Sequence, residues 1–266
     1  MNKMNINPSN NNYDAKREYL ACECMGHSVL SEGIIGLEFF WNGPVPRAGQ
    51  FFMIKPQRTS VFLSRPLSAA GWKDEGSGGV LRFILAIRGQ GTKELAELNA
   101  GEKALITGPL GRGWDYVSNG IPRGKVALVS GGVGMAPLAF FAKELNPGSF
   151  DFYAGFKSSP FGLEGLKPGS LVISTEDGSA GFKGRILDHF SPAPYGAVYG
   201  CGPEPMLKLL TEHCHTAGIP CYISLEQRMA CGVGACLGCT IHTKAGNRRC
   251  CEDGPVFNAK DIIFDE

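Results

Sequence analysis

The stretch KVALVSGGVGMAPLAFF, Lys125 to Phe141, constrains the fold more than any other part of the chain. An unbroken apolar strand runs into a glycine turn and then into an apolar helix that Asn146-Pro147-Gly148 halts. Strand and helix patterns then alternate through SFDFYAGF, LVISTEDG, GRILDHF, GAVYGCGP, EPMLKLLTEHCHTAG and CYISLE. That alternation predicts a parallel sheet with helices on both faces. The turn itself suits an anion, because a helix opening on glycines points its free N–H groups at a phosphate. Gly131, Gly132 and Gly134 let the backbone come close, and Pro137 fits the helix's first turn, where a missing N–H costs nothing. Pro137 also stands where GxGxxG would have its third glycine, and an ordinary βα turn would read the same way. AVYGCGPEPMLKLL repeats the arrangement, with Gly200, Cys201, Gly202 and Pro203 at the carboxyl end of a second strand. Open α/β sheets bind ligands at that edge. Cys201 equally fits a small buried residue.

The style before this region is different. From about Cys24 to Trp114, short β-rich runs (HSVLSEGIIGLEFFW, GQFFMIKP, RPLSAAGW, GVLRFILAIRG, KALITGPLG) are split by Gly and Pro turns. Regular turn spacing of this kind predicts a small barrel or sandwich. One helix fits, in GTKELAELNAGE, with Thr92 as N-cap and Gly101 as stop. Arg65 offers a bidentate fork for a diphosphate and Ser68 a hydroxyl, although an Arg-Pro pair at a strand edge is common. GQGTKEL adds a glycine turn at a helix start.

Near the end, Cys231, Cys236 and Cys239 form C-x4-C-x2-C, the spacing of plant-type 2Fe–2S centres, which need a fourth thiolate further on. Such a cluster takes four soft thiolates, two per iron. Gly232, Gly234, Ala235 and Gly238 let the backbone wrap it and aim amides at the sulfurs. Zinc is the competing occupant, since C-x2-C is common in structural zinc sites, but this glycine-filled spacing is less typical of them. Residue types alone leave the fourth ligand open between Cys250 and Cys251. Arg248 and Arg249 precede that pair and read as a solvated basic pair.

Composition excludes several classes. A net charge of +1 over 266 residues gives no footprint for nucleic acid or an anionic membrane. No run of 18 apolar residues exists to span a bilayer. The Asn-rich start has no apolar h-region and is expected to be a disordered tail, not a secretory signal. The ten cysteines are then expected in a reducing cytoplasm, where metal and redox roles outrank disulfides. The five histidines show no metal spacing.

RPLS, GxGT, SGGVGMAP and YGCGPEPM, in this order and spacing, resemble the ferredoxin–NADP reductase superfamily. The resemblance implies a Greek-key FAD-binding β-barrel (21–120) after the tail (1–20). A parallel-sheet α/β nucleotide-binding domain (121–225) and a small 2Fe–2S domain (226–266) would follow. It implies that Arg65, with Pro66 and Leu67, holds the FAD diphosphate, that Ser68 lies near the flavin ring, and that Ile84, Leu85, Ala86, Gly91 and Thr92 complete the cradle. Gly131, Gly132, Gly134 and Pro137 would cover the nicotinamide nucleotide's diphosphate. Cys201, with Gly202 and Pro203, would face the ring that exchanges hydride, making Cys201 and Ser68 the catalytic pair.

CCEDGPVFNAKDI, STEDGSAGFKGRI and SLEQRMACGVGAC further resemble one branch, the electron-transfer subunits of two-subunit NAD-dependent dihydroorotate dehydrogenases. In that branch the ligand directly precedes E-D-G-P-V-F, which makes the set Cys231, Cys236, Cys239 and Cys251. The branch implies an FMN-containing catalytic partner, two copies of each subunit, and a role in pyrimidine synthesis. The small subunits of NADH-dependent ferredoxin–NADP oxidoreductases and sulfide dehydrogenases are the alternative; they typically carry aspartate at the position of Cys231. The choice of NAD rests on the branch, because Lys157, Ser158 and Ser159 would also suit a 2′-phosphate.

Overall fold

A computed structural model describes residues 18–114 and 124–264. The expected tail lies outside the described residues as far as position 17, and Leu20 already opens the first strand. Six strands close an antiparallel barrel: β1 (Leu20–Ser31), β2 (Ile34–Trp41), β3 (Phe51–Pro56), β4 (Arg65–Asp74), β5 (Gly79–Ala86) and β6 (Lys103–Leu110), in the order β1-β2-β5-β4-β3-β6. Closure leaves no unpaired edge. Alternation along β3 sorts its side chains: Phe52 and Ile54 enter the barrel core, while Phe51 and Met53 join a second apolar cluster outside it.

The helix α1 (Gln90–Ala96) differs from its expected bounds. Gly89 is the N-cap and Thr92 sits at the third helical position. The Thr92 hydroxyl reaches back to accept from the N–H groups of Arg88 (2.9 Å) and Gly89 (3.1 Å), so it caps from inside the helix. The helix stops at Ala96, short of Gly101, because Asn99 turns the chain into β6 and the Glu102 carboxylate holds the Asn99 N–H at 2.7 Å.

A seven-stranded sheet follows, in the order β10-β9-β8-β7-β11-β12-β15. Its strands are β7 (Val126–Gly131), β8 (Phe150–Phe156), β9 (Ser170–Thr175), β10 (Phe182–Lys183), β11 (Ala197–Cys201), β12 (Cys221–Ser224) and β15 (Val256–Asn258). All pair in parallel except β15, which runs antiparallel to β12. The order reverses between β7 and β11, the topological switch point where such sheets bind ligands. Helix α2 (Met135–Glu144) leaves the β7 turn, buried from Met135 to Ala142. Helix α3 (Glu204–Ala217) leaves the β11 turn, buries Leu207, Leu210 and Cys214 at helical spacing, and ends on Gly218 in the left-handed region.

Between β12 and β15 lies the cysteine segment, with the hairpin β13 (Thr240–Thr243) and β14 (Gly246–Arg249) and the one-turn helix α4 (Cys250–Asp253). The barrel core is continuous with one face of the sheet, and Trp114 stacks on Phe141 of α2 at 5.9 Å. Among the described residues no helix is long and apolar enough to cross a membrane.

Candidate functional site

A cavity of about 210 Å³ opens where all three regions meet. The barrel supplies Phe51, Pro66, Leu67, Ser68, Ile84, Leu85, Ala86, Arg88 and Thr92. The α/β region supplies Val133 and Ala136 beside the β7 turn, and Leu225, Glu226 and Gln227 where the chain leaves β12. Met229 and Pro255 come from the two ends of the cysteine segment. The sequence-predicted group Pro66 to Ser68, Ile84 to Ala86 and Thr92 is thus gathered around one space.

Arg65 and Gly91 stand together just outside the cavity lining. The Arg65 guanidinium lies across Gly91 so closely that a Cβ there would come within 2.4 Å of Nε. Its Nη1 donates to the carbonyls of Leu63 (3.2 Å) and Ser64 (3.3 Å). Glu94 of α1 ties the preceding loop down, accepting from the Thr59 and Ser60 hydroxyls and from Gln90 Nε2 (2.9 Å). The hydroxyl bonds from Ser60 and Thr59 hold the Glu94 carboxyl at about 2, well below the usual range. The arginine is therefore seated on the helix that carries the glycine it covers.

At the switch point the two glycine turns press on each other. A Cβ on Gly134 would meet the Cys201 carbonyl oxygen at 2.2 Å, and one on Gly202 would meet the Gly131 amide nitrogen at 2.9 Å. A Cβ on Gly131 would in turn meet Pro203 Cδ at 2.8 Å. Gly132 takes a φ of +54° with open space around it. Only glycines let β7 and β11, paired at Ser130 and Cys201, carry their turns this close together. Pro137 lies buried in the first turn of α2. Cys201 is 2% exposed, and burial pushes its thiol up, so it stays protonated. It does not line the cavity itself; it pairs with Ser224, one residue before the lining begins.

The cysteines converge as two pairs. Cys236 reaches the Cys231 sulfur and Cys239 reaches the Cys251 sulfur. Backbone amides aim at these atoms: Val233 and Cys236 N–H at Cys231 Sγ (both 3.4 Å), Gly234 N–H at Cys251 Sγ (3.1 Å), and Cys251 N–H at Cys239 Sγ (3.4 Å). Burial alone would raise Cys231, but these donated N–H bonds outweigh it and bring the thiol down to about 7. Burial and then the Cys239 sulfur raise Cys251, so Cys251 carries its negative charge when a cation shares it. Among the described residues no three His, Cys, Asp or Glu side chains close on a single metal ion. Two thiol pairs with amides aimed inward fit a binuclear cluster, two thiolates per iron.

Cys250 behaves differently. Its thiol donates to the Leu225 carbonyl at 3.3 Å, facing the sheet, and burial pushes it up. Arg249 departs from the solvated pair expected beside Arg248: it is half-buried, donates through Nη1 to the Gly234 carbonyl (3.4 Å), and pairs with Asp253 at 3.3 Å. It ties the cysteine loop to α4, a role invisible until the two are folded together.

Comparison with known proteins agrees with this geometry. Residues 226–263 match the iron–sulfur cluster binding domain of dihydroorotate dehydrogenase B. The electron transfer subunit of NAD(+)-dependent dihydroorotate dehydrogenase B from Clostridium acetobutylicum is 41% identical over 94% of this chain and all of its own. Its counterpart from Clostridium perfringens is 40% identical over 93% of this chain and 99% of its own. The chain belongs to the dihydroorotate dehydrogenase B electron transfer subunits.

Members of this family are oxidoreductase components that pass electrons on behalf of a catalytic subunit. Among solved structures, the NADH-dependent reduced ferredoxin–NADP oxidoreductase superposes with a TM-score of 0.79 at 25% identity, over 92% of this chain and 90% of that one. The ferredoxin reductase of carbazole 1,9a-dioxygenase shares the fold, with a TM-score of 0.63 at 19% identity over 78% of this chain and 68% of that one. Phe51, Arg88, Val133, Ala136, Leu225 to Gln227, Met229 and Pro255 also line the cavity, and no motif marks them for it. The one available signal was that SLEQRM leads directly into the first cysteine.

Proposed function

We propose that the chain relays electrons from the FMN of a dihydroorotate dehydrogenase catalytic subunit, through a 2Fe–2S cluster and FAD, to NAD+ in pyrimidine synthesis. One observation carries this reading: the cysteine segment, the nucleotide region and the barrel all wall the same cavity. FAD supplies exchange between single electrons, which a cluster moves, and hydride, which nicotinamide moves.

The chain's own residues divide the work. Arg65, seated over Gly91, holds the FAD diphosphate with a charged fork, and Pro66 to Ser68 and Ile84 to Ala86 flank the ring. The glycines of the β7 and β11 turns hold the nicotinamide nucleotide's diphosphate through backbone N–H groups. Cys201, kept neutral by burial behind the cavity wall, would back the nicotinamide side without adding charge, and Ser68 would stand on the barrel side. Cys231, Cys236, Cys239 and Cys251 ligate the cluster, and Cys250 stays a thiol on Leu225. Cys236 and Leu237 lie exposed at the tip of that loop, Leu237 at 61%, where a catalytic subunit can approach the cluster. Two copies of each subunit assemble, which light scattering on the complex tests.

The TM-score of 0.79 favours a second reading, the small subunit of an NADH-dependent ferredoxin–NADP oxidoreductase. Cysteine at 231, in place of that branch's usual aspartate, supports the dihydroorotate branch. Assay of the purified chain separates the possibilities. Expected are NADH-driven reduction of artificial acceptors and no oxidation of dihydroorotate until the catalytic subunit is added. Dihydroorotate turnover by the chain alone would overturn the assignment.

A further inference from the structure

The outer face of β3 touches both redox sites. Phe51 lines the junction cavity, and Met53, two residues along the same face, is fully buried against the cysteine loop. Residues two apart on a strand are separated by about 6.6 Å. The backbone of Met53 also pairs with Pro66, itself part of the cavity wall. Against this face rests Gly232, directly after the first cysteine. It adopts a φ of +70°, and a Cβ there would stand 2.5 Å from Met53 Cγ, 3.0 Å from its Sδ and 3.3 Å from Leu110 Cδ1. The far arm of the cysteine segment is seated equally tightly. A Cβ on Gly111, after β6, would meet the Gly254 carbonyl oxygen at 2.5 Å and Phe51 Cε1 at 3.0 Å, and the Arg112 N–H donates to that carbonyl at 2.6 Å.

From these contacts we infer that Gly232 and Met53 are positioning residues: their packing sets the spacing between cluster and flavin, and with it the rate at which electrons cross. This rests on the relay reading given above. With NADH as reductant, hydride brings two electrons and a proton to the flavin. One electron then crosses to the cluster, while the other electron and the proton stay with the flavin.

Anaerobic stopped-flow reduction of the purified chain by NADH tests the inference, recording flavin bleaching and cluster reduction as separate phases. Iron, sulfide and FAD contents and the reduced-cluster EPR signal check that the site is assembled. Gly232→Ala is expected to keep the native flavin phase and slow the cluster phase several-fold. Adding Met53→Ala to it removes the obstructing side chain and restores most of the rate. Met53→Phe leaves Gly232 and its φ untouched, presses on the loop from the β3 side, and slows the same phase; it decides the matter if Gly232→Ala fails to assemble a cluster. Native cluster phases in Gly232→Ala and Met53→Phe would overturn the inference. So would a slowing that Met53→Ala fails to relieve, since that traces to backbone strain and not to spacing. A native chain whose cluster never accepts electrons from NADH would instead sink the relay reading itself.

Discussion

The two sites proposed to hold dinucleotides are built by opposite means. In the barrel a charged side chain is presented: Arg65 lies over Gly91, and Glu94 straps the Arg65 loop to the same helix. At the switch point of the sheet the contact is glycine on glycine, with Gly134 against Cys201 and Gly202 against Gly131. A charged fork gains hydrogen bonds worth about 1.5–3 kcal/mol each to an anion, whereas neutral amides gain less. On the proposed reading this difference separates a resident cofactor from a nucleotide that must leave after every turnover.

Four substitutions probe that contrast. Arg65→Ala is expected to weaken FAD binding on the order of ten- to a hundredfold, read as the FAD released on dilution, because charge-assisted bonds are lost. Gly134→Ala drives a Cβ into the Cys201 carbonyl, so the KM for NADH should rise by about tenfold or more while FAD content is unchanged. If it sheds FAD instead, the two sites are not separate in the way described. Cys201→Ala should slow flavin reduction by NADH several-fold, with no change in either cofactor's content or in cluster reduction by dithionite. Glu94→Gln should have the smallest effect, and its sign follows from linkage. The Glu94 carboxyl is lowered from 4.5 to about 2, so its stabilisation is complete above the unfolded value and disappears as pH falls through the folded one. The small deficit of the variant in Tm at neutral pH should therefore close between about pH 4.5 and 2. A deficit that persists at pH 2 would show that the Glu94 contacts act through shape alone.

Local pattern made much of this legible. An apolar run followed by glycines and a helix occurs twice, and each time the structure places it at neighbouring strands of a parallel sheet. The cysteine spacing likewise survives folding, because three thiols within nine residues cannot move far apart. Residues whose role arises from tertiary contact were not legible. Phe51 and Pro255 line one cavity from opposite ends of the chain, and no period links them. β15 is three residues long, too short to announce that the chain returns to the sheet after the cysteines. Arg249 looked like surface charge until Gly234 and Asp253 folded against it. Thr92 had the residue type of an N-cap but caps from the third position, because Gly89 makes the turn ahead of it.

The central claim is that electrons from dihydroorotate reach FAD only by way of the cluster. Reduction of the assembled two-subunit complex with dihydroorotate, under anaerobic conditions and without NAD+, tests it most directly. The account predicts a reduced 2Fe–2S EPR signal with FAD bleaching in the native complex, and neither of them in a Cys251→Ser complex that still holds FAD and FMN. FAD bleaching at the native rate in that variant would contradict it.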